Sequence, residues 1–185
     1  DLDEYDCYID TSTTLSLTTY DQYNMATVQK IMAQMQSRDL DVIVFNSEIF
    51  NNYALNGMFM DLRSVMTEEE LEKYKDQLYY IDYAELVRES EKELDADELM
   101  EPMEVDVEAD TLLHRHPEDM EDPMPIGVFI TDSPFLEKSG SYHPSLQPVF
   151  GIVATCQRTD VAKQYLDFLW DDSIDFSQVI DTTLF

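Results

Sequence analysis

The sequence predicts an α/β domain: a three-layer, mostly parallel sheet with helices on both faces. Three observations predict it. Short β-branched and aromatic runs alternate along the chain with stretches of helical period, the pattern of layered α/β architectures. One of these runs, VIVF, is apolar at every position rather than at alternate ones, as a strand buried on both faces of a parallel sheet is. At 185 residues, with 44% hydrophobic and 11% aromatic content, the chain can bury one ordinary core. Residues 1–185 are read as a single domain with an acidic insertion at about 84–122.

YDCYID, residues 5 to 10, alternates and predicts a strand, and the TSTTLSLTT that follows is a loop or an extended continuation. Across YNMATVQKIMAQMQSRDL, Met25, Val28, Ile31, Met32 and Met35 fall on one helical face, a stripe expected to meet the core rather than a metal. In DVIVFNSEIFNNYALNG, Val42 to Phe45 are too few for a helix and predict a buried strand. The period then changes at once. Ser47 is placed to cap a helix whose apolar positions are Ile49, Phe50, Tyr53 and Ala54, and Gly57 marks its stop.

MFMDL is a short extended piece, and Thr67 with Glu70 makes a capping box at the head of TEEELEKYKDQ. LYYIDY predicts another strand. The acidic insertion, broken by Pro102 and Pro117, is part helix and part loop. In PMPIGVFITDSPFLEKSG, Ile126, Val128, Phe129 and Ile130 predict a strand that ends at Asp132 and Ser133, before a short helix closing on Gly140. PVFGIVATC is the last strand. TDVAKQYLDFLW is an amphipathic helix with Val161, Tyr165, Phe168 and Leu169 inward.

Forty acidic against 11 basic residues give a formal net charge of −29. Such a surface keeps the chain soluble and repels polyanions, which excludes nucleic acid and anionic membranes and leaves cations, basic proteins and neutral solutes. No run reaches the roughly 18 apolar residues of a membrane span, so no direct membrane insertion of this segment is expected. Cys7 and Cys156 are far apart and in no C-x-x-C pair, so zinc and thioredoxin-type readings fail and two free buried thiols are expected.

His114, His116, Glu118 and Asp119 in HRHPED have the alternation that could hold a transition metal, although a His pair in an acidic loop is more often simply solvated. Asp106, Glu108 and Asp110 alternate like a calcium loop but lack its sixth-position Gly, and Pro117 stands where its closing Glu belongs. No metal site and no cofactor is assigned. G-x-S-x-G, the P-loop, G-x-G-x-x-G and H-E-x-x-H are all missing, and no spacing singles out a carboxylate pair among so many. The expectation is a protein that is not an enzyme.

In open α/β sheets ligands gather at the carboxyl ends of the strands. Asn46, Ser47 and Glu48 after one strand, and Asp132 and Ser133 after another, are therefore the candidate ligand-binding residues of a shallow polar site. The other reading is that Ser47 caps its helix while Asp132 or Ser133 caps the next.

Three segments carry a resemblance. LDVIVFNSEIFNNYALNGMFMDLRSVMTEEELEKYKDQL resembles the third-strand region of the extracellular solute-binding proteins of ABC importers, particularly the sugar-binding branch, with Asp41, Tyr53, Ala54 and Gly57 in the family's places. PVFGIVATCQRTDVAKQYLDFLW is similar to that family's return strand and helix through Ala162, Tyr165, Leu166, Phe168 and Leu169. MPIGVFITDSPFLEKSG is similar to its hinge strand, yet only SYHPSLQ stands where a second lobe would be inserted.

The resemblance implies one lobe of a type 2 periplasmic-binding fold, non-enzymatic, binding a small polar, sugar-like solute for transport. A membrane transporter or another protein is the implied partner. The alternatives are a membrane-tethered interaction or sensory module that keeps the fold without transport, or a cation-binding domain. An extracellular setting is implied, and a chain starting at Asp1 without Met is expected to have been exported or anchored through a segment not present here.

Overall fold

The computed structural model describes residues 8–11, 15–16, 21–91, 113–139 and 144–174. Its centre is one sheet of four strands, β1 (Val42–Asn46), β2 (Leu78–Asp82), β3 (Pro123–Phe129) and β4 (Pro148–Ile152), in the order β1-β4-β3-β2. Every neighbouring pair is antiparallel. The mostly parallel sheet expected from the alternation of strands and helices is therefore corrected to an antiparallel one.

The physical reason lies in the connections. A parallel βαβ unit needs a crossover that returns the chain to the end of the sheet where the first strand began. Here the β1–β2 connection makes two legs. The first, α2 (Ser47–Ala54), leaves the carboxyl end of β1; at the far end of the sheet Phe59 bridges Val153 and the Met60 N–H donates to Ile152 O at 2.9 Å. The second leg runs through the 3-10 turn Leu62–Ser64, α3 (Glu68–Lys73) and the 3-10 turn Lys75–Gln77. It brings the chain back, so β2 starts at the end where β1 stopped. The β2–β3 and β3–β4 connections also begin and finish at one end of the sheet, and three such connections leave every neighbour antiparallel.

The sheet separates two apolar layers. On one face Leu78, Val128, Phe150 and Ile152 pack with Leu136 of α5 (Pro134–Ser139) and with Ala162, Leu166 and Leu169 of α6 (Thr159–Leu169). On the other face Ile43, Tyr79, Ile126 and Val149 meet Ile31 of α1 (Gln22–Ser37), Phe50 of α2 and Leu86 of α4 (Tyr83–Glu91). A bulge in β3 helps to sort the side chains between these layers. Tyr79 pairs with Gly127 and Tyr80 with Pro125, so Ile126 is the extra residue. Beyond it Val128 and Ile130 join the α6 face while Phe129 stays on the α2 face.

Phe50 is seated over two glycines. A methyl group at Gly151 would lie 2.5 Å from the Phe59 ring and 2.7 Å from that of Phe50, and one at Gly127 would lie 2.7 Å from Phe50 Cζ. The bare backbone lets the stacked Phe50–Phe59 pair, with centroids 4.0 Å apart, lie against the sheet.

On α1 the line that meets the core is Thr27, Ile31 and Met35, spaced by four residues. Met25 and Met32, expected inward, are 58% and 48% exposed. On α6 the buried line is Ala162, Leu166 and Leu169, with Tyr165 and Phe168 half-buried beside it. Residues 8–11 form no strand, and residues 5–7 of the expected first strand lie outside the described residues, as do Cys7 and residues 92–112 with Asp106, Glu108 and Asp110. Among the described residues no helix is long and apolar enough to cross a membrane.

Candidate functional site

The carboxyl ends of β1 and β3 lie at the same end of the sheet, flanking the start of β4. Asn46 pairs with Pro148, and on the other side the Ile130 N–H donates to Pro148 O at 2.9 Å. The antiparallel sheet thus still brings the two predicted groups to one end, with a strand between them. Asn46, in an extended conformation, is the N-cap of α2, its Oδ1 accepting from the Ile49 N–H at 3.0 Å. Ser47, expected in that role, is instead the first helical residue and only 1% exposed. Ser133 is fully buried and its Oγ accepts from the Leu136 N–H at 3.3 Å at the head of α5. Half-buried Glu48, in the first turn of α2, and exposed Asp132 are left at the surface.

Between the ends of β2, β3 and β4 stands a residue that the sequence reading passed over. The Arg115 guanidinium lies 3.7 Å above the centre of the Phe129 ring. Its Nη2 donates to Gln147 Oε1 at 3.1 Å and its Nη1 to Gln77 Oε1 at 3.4 Å. Gln77 precedes β2 and Gln147 precedes β4, so one arginine spans three strand ends. Burial lowers the Arg115 pKa from its ordinary value, while the Asp132 charge opposes that shift. Gln147 has a left-handed backbone, φ 44°, which a side chain of its kind adopts only under constraint. Nearby in the chain, Thr131 Oγ1 is buried with no hydrogen-bond partner among the described residues.

Arg115 differs from most of the described cations in its charge balance. Lys30, Arg63, Lys73, Lys75, Arg88, Arg158 and Lys163 each reach a carboxylate. Arg115 is half-buried, and no carboxylate of the described residues lies within ion-pairing distance of it. Two of its five N–H donors are engaged by amide oxygens, so the guanidinium is held in place without being neutralised. The only sequence signal was a basic residue inside a strongly acidic stretch, between two histidines that drew the metal reading.

His114, next to it, is buried rather than solvated. Its ring stacks on Tyr79 with centroids 4.3 Å apart, its Nδ1–H donates to Tyr80 O at 2.6 Å, and its backbone carbonyl accepts from the Tyr80 N–H at 2.9 Å. His116 is exposed and bonds Glu118 at 2.8 Å. Among the described residues no group of three or more His, Cys, Asp or Glu side chains is placed to hold a metal ion.

A shallow groove of about 300 Å³ lies between α3 and the β2–β3 pair, lined by Arg63, Leu71, Lys75, Tyr80 and Pro125. Its cations are already neutralised, Arg63 by Asp61 at 2.8 Å and Lys75 by Glu72 at 2.5 Å. At the opposite end of the sheet from Arg115, Asp41 accepts from Arg158 Nε at 2.8 Å and from the Cys156 thiol at 3.3 Å. Burial pushes that thiol up to about 11, which holds it protonated at neutral pH. Asp41 is therefore a tie between β1 and the β4–α6 turn, and Cys156 is not an activated nucleophile.

No family model matches the chain, and neither the curated proteins nor the solved structures contain a match to it. The likeness to solute-binding proteins rests on the three sequence segments alone.

Proposed function

We propose that this chain is a non-catalytic binding module for a small polar solute of the sugar class, taken at the end of the sheet around Arg115. The observation that carries the reading is a half-buried guanidinium, held by Gln77, Gln147 and the Phe129 ring, that has no carboxylate partner among the described residues of a strongly acidic chain. Arginine, glutamine and aspartate side chains are planar groups with fixed donor and acceptor directions, the equipment that neighbouring hydroxyls require. Asp132 supplies an acceptor beside the arginine. The three segments that resemble extracellular solute-binding proteins support a place in transport outside a membrane, with a membrane importer as the partner.

The test is a thermal-shift screen of the purified chain against neutral sugars, sugar acids, amino acids and divalent cations, repeated with Arg115→Ala. A ligand that binds only the folded state stabilises it by about 2.7 kcal/mol at a hundredfold excess over Kd. The expected outcome is a rise in Tm confined to sugars and lost in Arg115→Ala. A flat response to every solute overturns the reading. So does a shift that survives the substitution, because it places the ligand elsewhere.

A further inference from the structure

The outward face of α1 carries a repeat. Gln22, Met25 and Ala26 recur seven residues later as Gln29, Met32 and Ala33, and Gln36 opens a third round. All seven residues are exposed. A seven-residue period keeps side chains on one stripe of a helix and is the period with which two helices interlock. On the opposite side of α1, Thr27 and Ile31 are already buried against the sheet, so the repeat does not serve the core.

The same face is free of negative charge. The 16 residues of α1 contain no Asp or Glu, although the chain has 40, and their one charged side chain, Lys30, is paired with Asp10. Loss of charge together with exposed methionine is the composition of an interface centre rather than of an ordinary acidic surface.

We infer that α1 is the contact through which two copies of this chain associate. Two bodies of charge −29 repel each other wherever their acidic surfaces meet, and this helix, free of acidic side chains, is where they can approach. The repeat is also self-complementary. In a two-fold antiparallel arrangement Met25 lies over the partner's Ala33 and Met32 over the partner's Ala26, each long side chain filling the space above a small one. Antiparallel helix dipoles favour that arrangement. Sixteen residues at 1.5 Å rise span roughly 24 Å, a short seam, so the dimer is weak and concentration-dependent. The remaining repulsion is screened by salt, so salt strengthens it.

Sedimentation velocity at high micromolar concentration tests this, in low salt and in salt raised toward 1 M, where the Debye length falls to about 3 Å. The dimer fraction is expected to grow with both concentration and salt. The double variant Met25→Glu, Met32→Glu should weaken association by at least about tenfold while its Tm stays unchanged, because both side chains are exposed. A photo-crosslinker at Gln29 should join α1 to α1 of the second copy. A monomer under all conditions overturns the inference, as does a dimer indifferent to the double variant. A crosslink from Gln29 to another segment of the same chain overturns it too, by showing that the face is covered from within.

Discussion

Arg115 and Gly151 show how a single side chain, or the lack of one, decides local structure. Arg115 keeps a full charge in a half-buried place because two amides and a ring hold it, none of which cancels that charge. Gly151 works by absence. The Phe50 and Phe59 rings fill the space its side chain would need, with contacts of 2.5 to 2.7 Å to a hypothetical methyl group. Gly151→Ala should therefore destabilise the chain by about 1–3 kcal/mol, the usual cost of overpacking a core. Urea denaturation would show it as a lower midpoint with an unchanged slope, and a midpoint equal to that of the parent would mean that the ring stack gives way freely.

At the scale of elements, the edge of β2 is the informative case. An unpaired strand edge is a template for another chain, and proteins cover such edges. Here His114 does so from a turn: its carbonyl accepts from the Tyr80 N–H and its ring Nδ1–H donates to the Tyr80 carbonyl. Pro125 in the neighbouring strand is tolerated for a related reason. Tyr80 turns its backbone groups outward to His114, so the donor that Pro125 lacks faces away from β2, toward a side where β4 is paired only with Val128 and Phe129. His114→Phe keeps a ring on Tyr79 and removes the donor. Leaving that carbonyl without its bond should cost about 1–3 kcal/mol, measured as a drop in the urea midpoint, and self-association through the bared edge should follow in light scattering. A variant as stable and as monodisperse as the parent would refute the role assigned to His114.

For the whole molecule the dominant quantity is the charge of −29. Self-repulsion on that scale destabilises the compact state and is relieved by salt. Acid acts in two opposed ways. Several carboxylates titrate below their ordinary range: Glu70 through the Thr67 backbone N–H, Asp82 through the Glu121 and Asp122 N–H groups, and Asp167, where the Lys73 and Tyr74 hydrogen bonds outweigh the effect of burial. A lowered carboxylate contributes stability that is present above its unfolded pKa, near 4, and is lost as pH falls through its folded value. Between neutrality and about pH 5 these groups stay ionised, while any fall in net charge on the way to the ordinary carboxylate range relieves self-repulsion. Calorimetry should thus give a Tm that rises from pH 7 to about pH 5 and falls steeply below about pH 4, and at pH 7 Tm should increase with sodium chloride. A Tm independent of salt would remove self-repulsion from the account.

The sequence by itself located the four strands of the sheet and most of the helices, though not the strand expected at YDCYID, because that information is local. VIVF, LYYID, PIGVF and PVFGI became strands, and Thr67 with Glu70 closes both halves of the capping box at α3. It also placed Asn46, Asp132 and their neighbours at strand ends, since a change of period is visible in single residues. Strand direction was decided only by the tertiary structure, because a two-leg connection and a one-leg crossover contain the same kinds of elements in the same order. The inward face of α1 was undecided for a similar reason: methionine is apolar enough for a core and flexible enough for an interface, and only packing against Ile43 and Phe50 selected Thr27, Ile31 and Met35 over Met25 and Met32. Arg115 stayed hidden because its partners, Gln77, Phe129 and Gln147, are distant in the chain and come together only when the ends of β2, β3 and β4 are brought side by side.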